Sequence, residues 1–353
     1  MKTTGNSKPT IPPCLLVLVI VLIPACRSSD DPGYPQSLRE AAEWAGIHIG
    51  VAAAPGVQAR EELIVREFNA ISAEGEFLWQ SIHPEPDTWN FEPADRFVEF
   101  TQAHGLFTTA THFLWDQFFD FTSVPAWVEA IDDPDELRAV MHGHMATLYE
   151  RYGGAINRWI VVNEPMNWFG RRLRRNHFCQ VLGPGYIAEA FWIAAGEMPE
   201  SELWLNEIFA EYVPGKGEAL VELAADLVAD CVPIDGVGLQ GHLFFGTPER
   251  SGLEETLRGL AALGLKVSFT EVDAPVLPHD DRWERQADRL AEVTAACLDV
   301  PGCSSITFWG LDDDQSWLNW LFLPGLGPLL FDAGLEPKPA YFSVLDALAR
   351  AGR

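Results

Sequence analysis

Short apolar runs alternate with amphipathic stretches along this chain, and the cycle can be counted eight times. Residues 46–53, 68–72, 107–112, 159–163, 203–206, 236–240, 266–270 and 304–308 form near-continuous apolar runs of strand length. Between them, residues 94–104, 134–152, 185–195, 217–230, 253–263, 281–298 and 339–349 carry apolar positions at helical spacing. Unbroken apolar strands separated by helices predict a parallel sheet covered on both faces. Eight such units predict a closed barrel, and no GxGxxG turn follows the first strand, as an open dinucleotide-binding sheet would need. The expected fold class is α/β, a single-domain (β/α)8 TIM barrel over residues 38–350.

Ahead of the barrel, Lys2 and Lys8 precede a short apolar segment, residues 14–23. That is the pattern of an export signal, too short to span a bilayer. Ile23-Pro24-Ala25-Cys26 ends in small residues before a cysteine and resembles a bacterial lipobox. Residues 1–26 are therefore expected to be a signal peptide, with Cys26 as the lipid-modified start of the mature chain. Ordinary cleavage and secretion stays open as the alternative. Residues 27–37 read as a short tether. The expected location is the cell envelope, as an outer-membrane or surface lipoprotein, or the medium.

Export places the cysteines where disulfides are chemically allowed. Cys297 and Cys303 flank a tight loop at 298–302 and are expected to pair, whereas Cys179 and Cys231 are expected to be free and buried. No Cys/His cluster has ligand spacing, so neither a metal nor another cofactor is expected. The formal charge of −27 argues against nucleic acid and against an anionic membrane, leaving the lipid as the expected membrane contact. Neutral polysaccharides meet no such repulsion. Thirteen tryptophans is a high count, and flat aromatic faces suit sugar rings, although most are expected to pack inside. No internal linker divides the chain, and a monomer is expected.

Polar and aromatic groups gather at one end of the predicted strands. Glu74, Trp115, Glu164, Glu207, His242, Glu271 and Trp309 all lie at or just past a carboxyl end, where barrels of this kind keep their chemistry. Two strand-end carboxylates suffice for glycosidic cleavage. Glu164 closes the run Trp159-Ile160-Val161-Val162-Asn163 and precedes Pro165, which fixes the following backbone. Burial near Trp115 or Trp168, with a second carboxylate close by, would raise its pKa as a general acid requires. Glu271 would need donors to stay ionised. His242 and Asn206 are candidates, with Asp273 behind the imidazole.

These residues give the chain a resemblance to the family-ten glycoside hydrolases, chiefly endo-β-1,4-xylanases, from about residue 38 to 348. The strongest stretches are 159–165, 233–243, 270–273, 306–318 and 328–348. The resemblance implies Glu164 as acid/base and Glu271 as nucleophile, supported by Gln240 and His242. It implies that Asn163 meets the sugar 2-hydroxyl and that Trp309 and Trp317 wall the cleaved sugar. Glu74, Trp115 and Asn206 join the expected substrate site, and the Cys297–Cys303 pair matches a disulfide of some members. Retaining chemistry follows, with carboxyl groups about 5–5.5 Å apart.

Two segments depart from the family's pattern. Where the family has Glu-Asn-x-Met-Lys-Trp, this chain has Glu74-Gly75-Glu76-Phe77-Leu78-Trp79, so an amide and a lysine are lost. The first histidine after strand three falls on Thr111, with His112 one place along. Side chains alternate across a strand, so His112 replaces the missing group only if the register also shifts. The expected activity is retaining hydrolysis of internal β-1,4-xylosidic bonds. A glycosidase acting on another β-glycan, and a non-catalytic carbohydrate-binding protein on the same scaffold, are the alternatives.

Overall fold

The computed structural model describes residues 33–118, 121–321 and 325–352. Eight parallel strands close into a barrel, each paired with the next and the last with the first. They are β1 (His48–Ala52), β2 (Ala70–Ser72), β3 (Phe107–Ala110), β4 (Arg158–Asn163), β5 (Glu202–Glu207), β6 (Gly236–Leu239), β7 (Lys266–Val272) and β8 (Cys303–Phe308). Every expected run overlaps one of them. Two ends differ in ways that matter for the site: β3 stops at Ala110, and β7 continues to Val272, taking Glu271 into the strand.

The expected helices form as well, for example Pro134–Tyr152, whose first turn is capped by Asp133 Oδ1 accepting from Asp135 N and Glu136 N, each at 2.9 Å. Two of the longer helices had no sequence expectation, Leu38–Ala45 and Gln58–Glu67, nor did several short ones such as His177–Leu182. Ser37 Oγ, at the end of the expected tether, accepts from Glu40 N at 3.1 Å and caps the first of them. The compact barrel unit accordingly begins at Pro35. Buried Glu67 then joins chain start to chain end, accepting from Leu38 N at 3.1 Å and from Tyr341 Oη at 2.8 Å. The leader and Cys26 lie outside the described residues.

Strand pairing is uneven at four places; one, which leaves Ser304 over at the start of β8, is at the opposite end, and the other three are near the barrel mouth. Ala110 pairs with Trp159 but Leu114 with Val162, so the chain leaving β3 carries one extra residue. Along β4, Ile160 pairs with Trp204 and Val162 with Leu205, leaving Val161 over. On β7 the extra residue appears against both neighbours: Phe269 pairs with Ile306 and Leu239, while Val272 pairs with Phe308 and Asp273 with His242. A bulge breaks the alternation of faces and re-aims the side chains beyond it. Thr270 and Glu271, neighbours in sequence, therefore both reach Asn206 inside the barrel, at 2.5 and 2.7 Å. Gly238 makes room there, since a Cβ would lie 2.5 Å from Asn206 Oδ1.

Cys297 and Cys303 are bonded, with Cα atoms 5.4 Å apart. Cys179 and Cys231 are free but not buried, contrary to expectation. Cys231 sits in the turn between the helix Lys216–Ala229 and β6, and Cys179 on the short helix His177–Leu182, so neither faces a core layer.

Candidate active site

An open cleft at the carboxyl ends of the strands holds six of the seven strand-end residues singled out in the sequence: Glu74, Trp115, Glu164, His242, Glu271 and Trp309. Trp317 and Gln240 line it too, with His112, Gly75, Leu78 and Ile208. Glu207 does not. It turns behind the wall into a fully buried ion pair with Lys216 Nζ at 2.9 Å.

Glu164 sits where β4 ends, in the left-handed region with φ of 50°, an uncommon conformation for a residue other than glycine. Its amide donates to Asn206 O at 2.9 Å, and Pro165 follows. The side chain is 2% exposed. Trp168 Nε1 donates to its Oε2 at 2.8 Å and Gln240 Nε2 to its Oε1 at 3.2 Å. Burial pushes the Glu164 carboxyl above its ordinary range, helped by the charge of Glu271 and opposed by Arg174 and the two donors.

Glu271 is equally buried but shifts the other way. Burial by itself would raise its pKa, yet His112 and His242 outweigh that and hold the carboxyl at about 2. Asn206 Nδ2 donates to Oε1 at 2.7 Å, His242 Nε2 lies 3.3 Å from Oε2, and His112 Nε2 lies 3.5 Å from Oε1. Asp273 Oδ2 stands behind His242 Nδ1 at 2.9 Å and also accepts from Trp317 Nε1 at 2.8 Å. Despite burial, the Asp273 and Glu271 charges raise the His242 pKa to about 10, so the imidazolium is the resident form. Two carboxyls facing one cleft are thus driven apart, one toward the acid and one toward the anion.

A chain of amides links them. Asn206 Nδ2 also donates to Asn163 Oδ1 at 2.9 Å, which accepts from Gln240 Nε2 at 3.3 Å. The bonds to Oδ1 fix the orientation of the Asn163 amide and leave its buried Nδ2 without a protein partner among the described residues. An oriented, unfilled donor beside both carboxyls suits a substrate hydroxyl. Gln240 departs from its expected role at its side chain: the amide bonds Glu164 and Asn163, while its backbone carbonyl accepts from Glu271 N at 2.7 Å.

His112 reaches the cleft because the extra residue beyond β3 supplies the register shift that the sequence made a condition. Thr111 turns the other way, donating to Ala73 O at 2.7 Å. The wall from the end of β2 is sparse, with Gly75 open, Leu78 apolar and Glu74 its one charged group. Burial, then Glu76 and Glu271, raise the Glu74 pKa to about 7.

The family model of glycosyl hydrolase family 10 matches residues 37–347. The chain belongs to that family. Among family-10 relatives, it is 30% identical to endo-1,4-beta-xylanase B of Thermotoga neapolitana, over 95% of this chain and 97% of that one. Endo-1,4-beta-xylanase 3 of Hypocrea jecorina is 33% identical, over 86% and 82%. Among solved family-10 structures, xylanase 10B from Thermotoga petrophila RKU-1 in complex with xylobiose superposes with a TM-score of 0.83 and 30% identity, covering 90% of this chain and 99% of that one.

What sequence reasoning missed in this family-10 site is mostly support. Trp168 was named only as a neighbour, yet it holds Glu164 directly. Lys216 carries no sequence signal beyond opening a helix, but its Nζ donates to Trp168 O at 3.2 Å and so pins the loop bearing that indole.

Proposed function

We propose that this chain is a retaining endo-1,4-β-xylanase that works by double displacement. The observation carrying this reading is the opposite tuning of two buried carboxyls on one cleft. Glu271, held ionised by Asn206 and the two histidines, attacks the anomeric carbon. Glu164, held toward its protonated form by burial, gives its proton to the departing glycosidic oxygen as the C–O bond breaks. The glycosyl ester on Glu271 is then cleaved by a water whose proton passes to Glu164, which regenerates both groups. Asn163 Nδ2 is placed to hold the 2-hydroxyl, and Trp309 and Trp317 wall the sugar. The xylanase names of the relatives supply the substrate class.

A second reading within the same chemistry, a preference for another β-glycan, is favoured by one observation: the β2 wall offers Gly75 and Leu78 where polar contacts would grip a xylose. Product analysis on xylan and on mixed-linkage glucan separates the two. For the mechanism, Glu271→Gln should lower kcat by at least about a thousandfold. Glu164→Gln should hit substrates with poor leaving groups hardest, and wild-type product should appear first as the β-anomer by NMR. Inversion at the anomeric carbon would overturn the double displacement.

The proposal extends to export. Residues 1–26 act as a signal peptide and Cys26 carries lipid, placing a monomeric barrel on the cell envelope. Mass spectrometry of the mature amino terminus reads this directly, since an unmodified terminus elsewhere would mean plain secretion.

A further inference from the structure

A second cavity adjoins the cleft, and its chemistry is unlike the rest of the molecule. Phe244 forms the partition. Its ring packs 5.7 Å from His242 and 5.9 Å from Trp317 on one side and lines the second cavity on the other. Phe245, 64% exposed, and Leu277, 78% exposed, give that cavity an apolar lip. Its other wall is Arg282, Arg285 and Arg289, one face of the helix Arg282–Leu298 at spacings of three and four.

The sorting of charge is the informative point. Residues 279–289 carry four acids, Asp280, Asp281, Glu284 and Asp288, against these three arginines, in a chain of net charge −27. None of the four acids lines the cavity. Asp281 pairs with Arg285 at 2.6 Å and occupies it. Arg282 lies over the Trp283 ring at 4.1 Å and donates from Nη1 to Gly325 O at 3.4 Å, and Arg289 donates to Pro275 O at 3.1 Å. Neither of these two is in an ion pair with a carboxylate among the described residues. Two guanidinium groups with donors to spare, next to the exposed Phe245 ring, match a sugar ring that bears a carboxylate.

We propose that this cavity binds a uronic-acid branch of a polysaccharide whose backbone lies in the cleft. The inference rests on the glycanase reading, and Phe244 is what connects the two: a branch passing its ring leaves the cleft and meets the arginines. The surrounding acidic surface repels free anions, so the backbone delivers the branch to a site that an unattached acid reaches poorly.

The test compares a neutral xylo-oligosaccharide with the same oligosaccharide carrying a glucuronic acid branch. Wild-type enzyme should show a higher kcat/KM on the branched substrate, and 0.5 M salt, roughly a 4 Å screening length, should erase much of the preference. The double variant Arg282→Ala/Arg289→Ala should lose roughly tenfold on the branched substrate, mainly in KM, while holding its rate on the neutral one. The double lysine variant should retain most of the preference. Equal rates on both substrates for wild type and alanine variant would overturn the proposal while leaving the glycanase reading intact. Failure to cleave either substrate would count against the glycanase reading alone, because calorimetry on the Glu164→Gln variant measures the branch preference without turnover. Binding of free glucuronate as tight as that of the branched oligosaccharide would overturn the backbone-delivered branch.

Discussion

At the scale of single residues, the site depends on keeping one carboxyl ionised in a place too dry to favour it. His112 is the component whose contribution is most easily isolated, because its Nε2 lies 3.5 Å from Glu271 Oε1 while the described contacts of Glu164 do not include it. Replacing it with alanine removes an imidazole 3.5 Å from the carboxylate that favours its ionised form, so the Glu271 pKa should rise. An interaction with a charged group is worth roughly 1.5–3 kcal/mol, or about one to two pH units. The acid limb of the kcat/KM profile, governed by a group now at about 2, should move up by that amount, while the alkaline limb set by Glu164 should stay. An unmoved acid limb would mean that His242 and Asn206 hold the charge unaided. Glu164, Glu271, His242 and Asn206 were legible in the sequence because each ends an apolar run. His112 was legible only conditionally, since period-two alternation sends it away from the cleft and only the register brings it back. The partner of Gln240 was not legible at all, because an amide on β6 lies within reach of either carboxyl.

At the scale of elements, the eight strands could be read almost residue for residue, while the bulges could not. An apolar run records that a segment is buried; it does not record that a neighbour is one residue shorter. The helix Gln58–Glu67 was missed for a related reason, since its many charged residues blur the apolar stripe. One pair of elements is tied together by the buried Glu207–Lys216 contact, between the end of β5 and the start of the helix Lys216–Ala229. Glu207 Oε2 also accepts from Met166 N at 3.0 Å, so the pair anchors the loop that carries Trp168 to Glu164. Burial raises the Glu207 pKa to about 7, against the pull of Lys216. Lys216→Met leaves that carboxylate unpaired and should cost about 3–5 kcal/mol of stability at pH 8. The sign with pH follows from the raised pKa: below it Glu207 takes up a proton in the folded state, so the loss should shrink at pH 5. Denaturant unfolding at the two pH values checks this, and an equal loss of that size at both would show that Glu207 stays ionised at pH 5. The same variant should lower kcat, because the Trp168 loop loses its anchor.

At the scale of the whole molecule, the two ends of the barrel carry different burdens. The carboxyl ends of the strands hold the cleft, and the opposite end holds the Cys297–Cys303 bond, with Cys303 as the first residue of β8. Pairing of these two could be read from the short loop between them, whereas the exposure of Cys231 could not, because it depends on how a helix-to-strand turn is presented. The bond closes a sequence separation of 6 residues, and loop-closure entropy for a ring that small is about 2 kcal/mol. Cys297→Ala/Cys303→Ala should therefore unfold at lower temperature by several degrees, as should the reduced wild type. Neither change reaches the cleft, since β8 pairs along its length with β1 and β7 before Trp309 is reached. Below the new unfolding temperature kcat and KM should stay within about twofold of wild type, the spread expected for changes remote from a site. Parallel thermal melts and initial rates measure both quantities on one preparation. A fall in kcat at temperatures where the variant is fully folded would mean that the two ends of the barrel are coupled through β8, and that the disulfide helps to position Trp309 as well as to hold the fold.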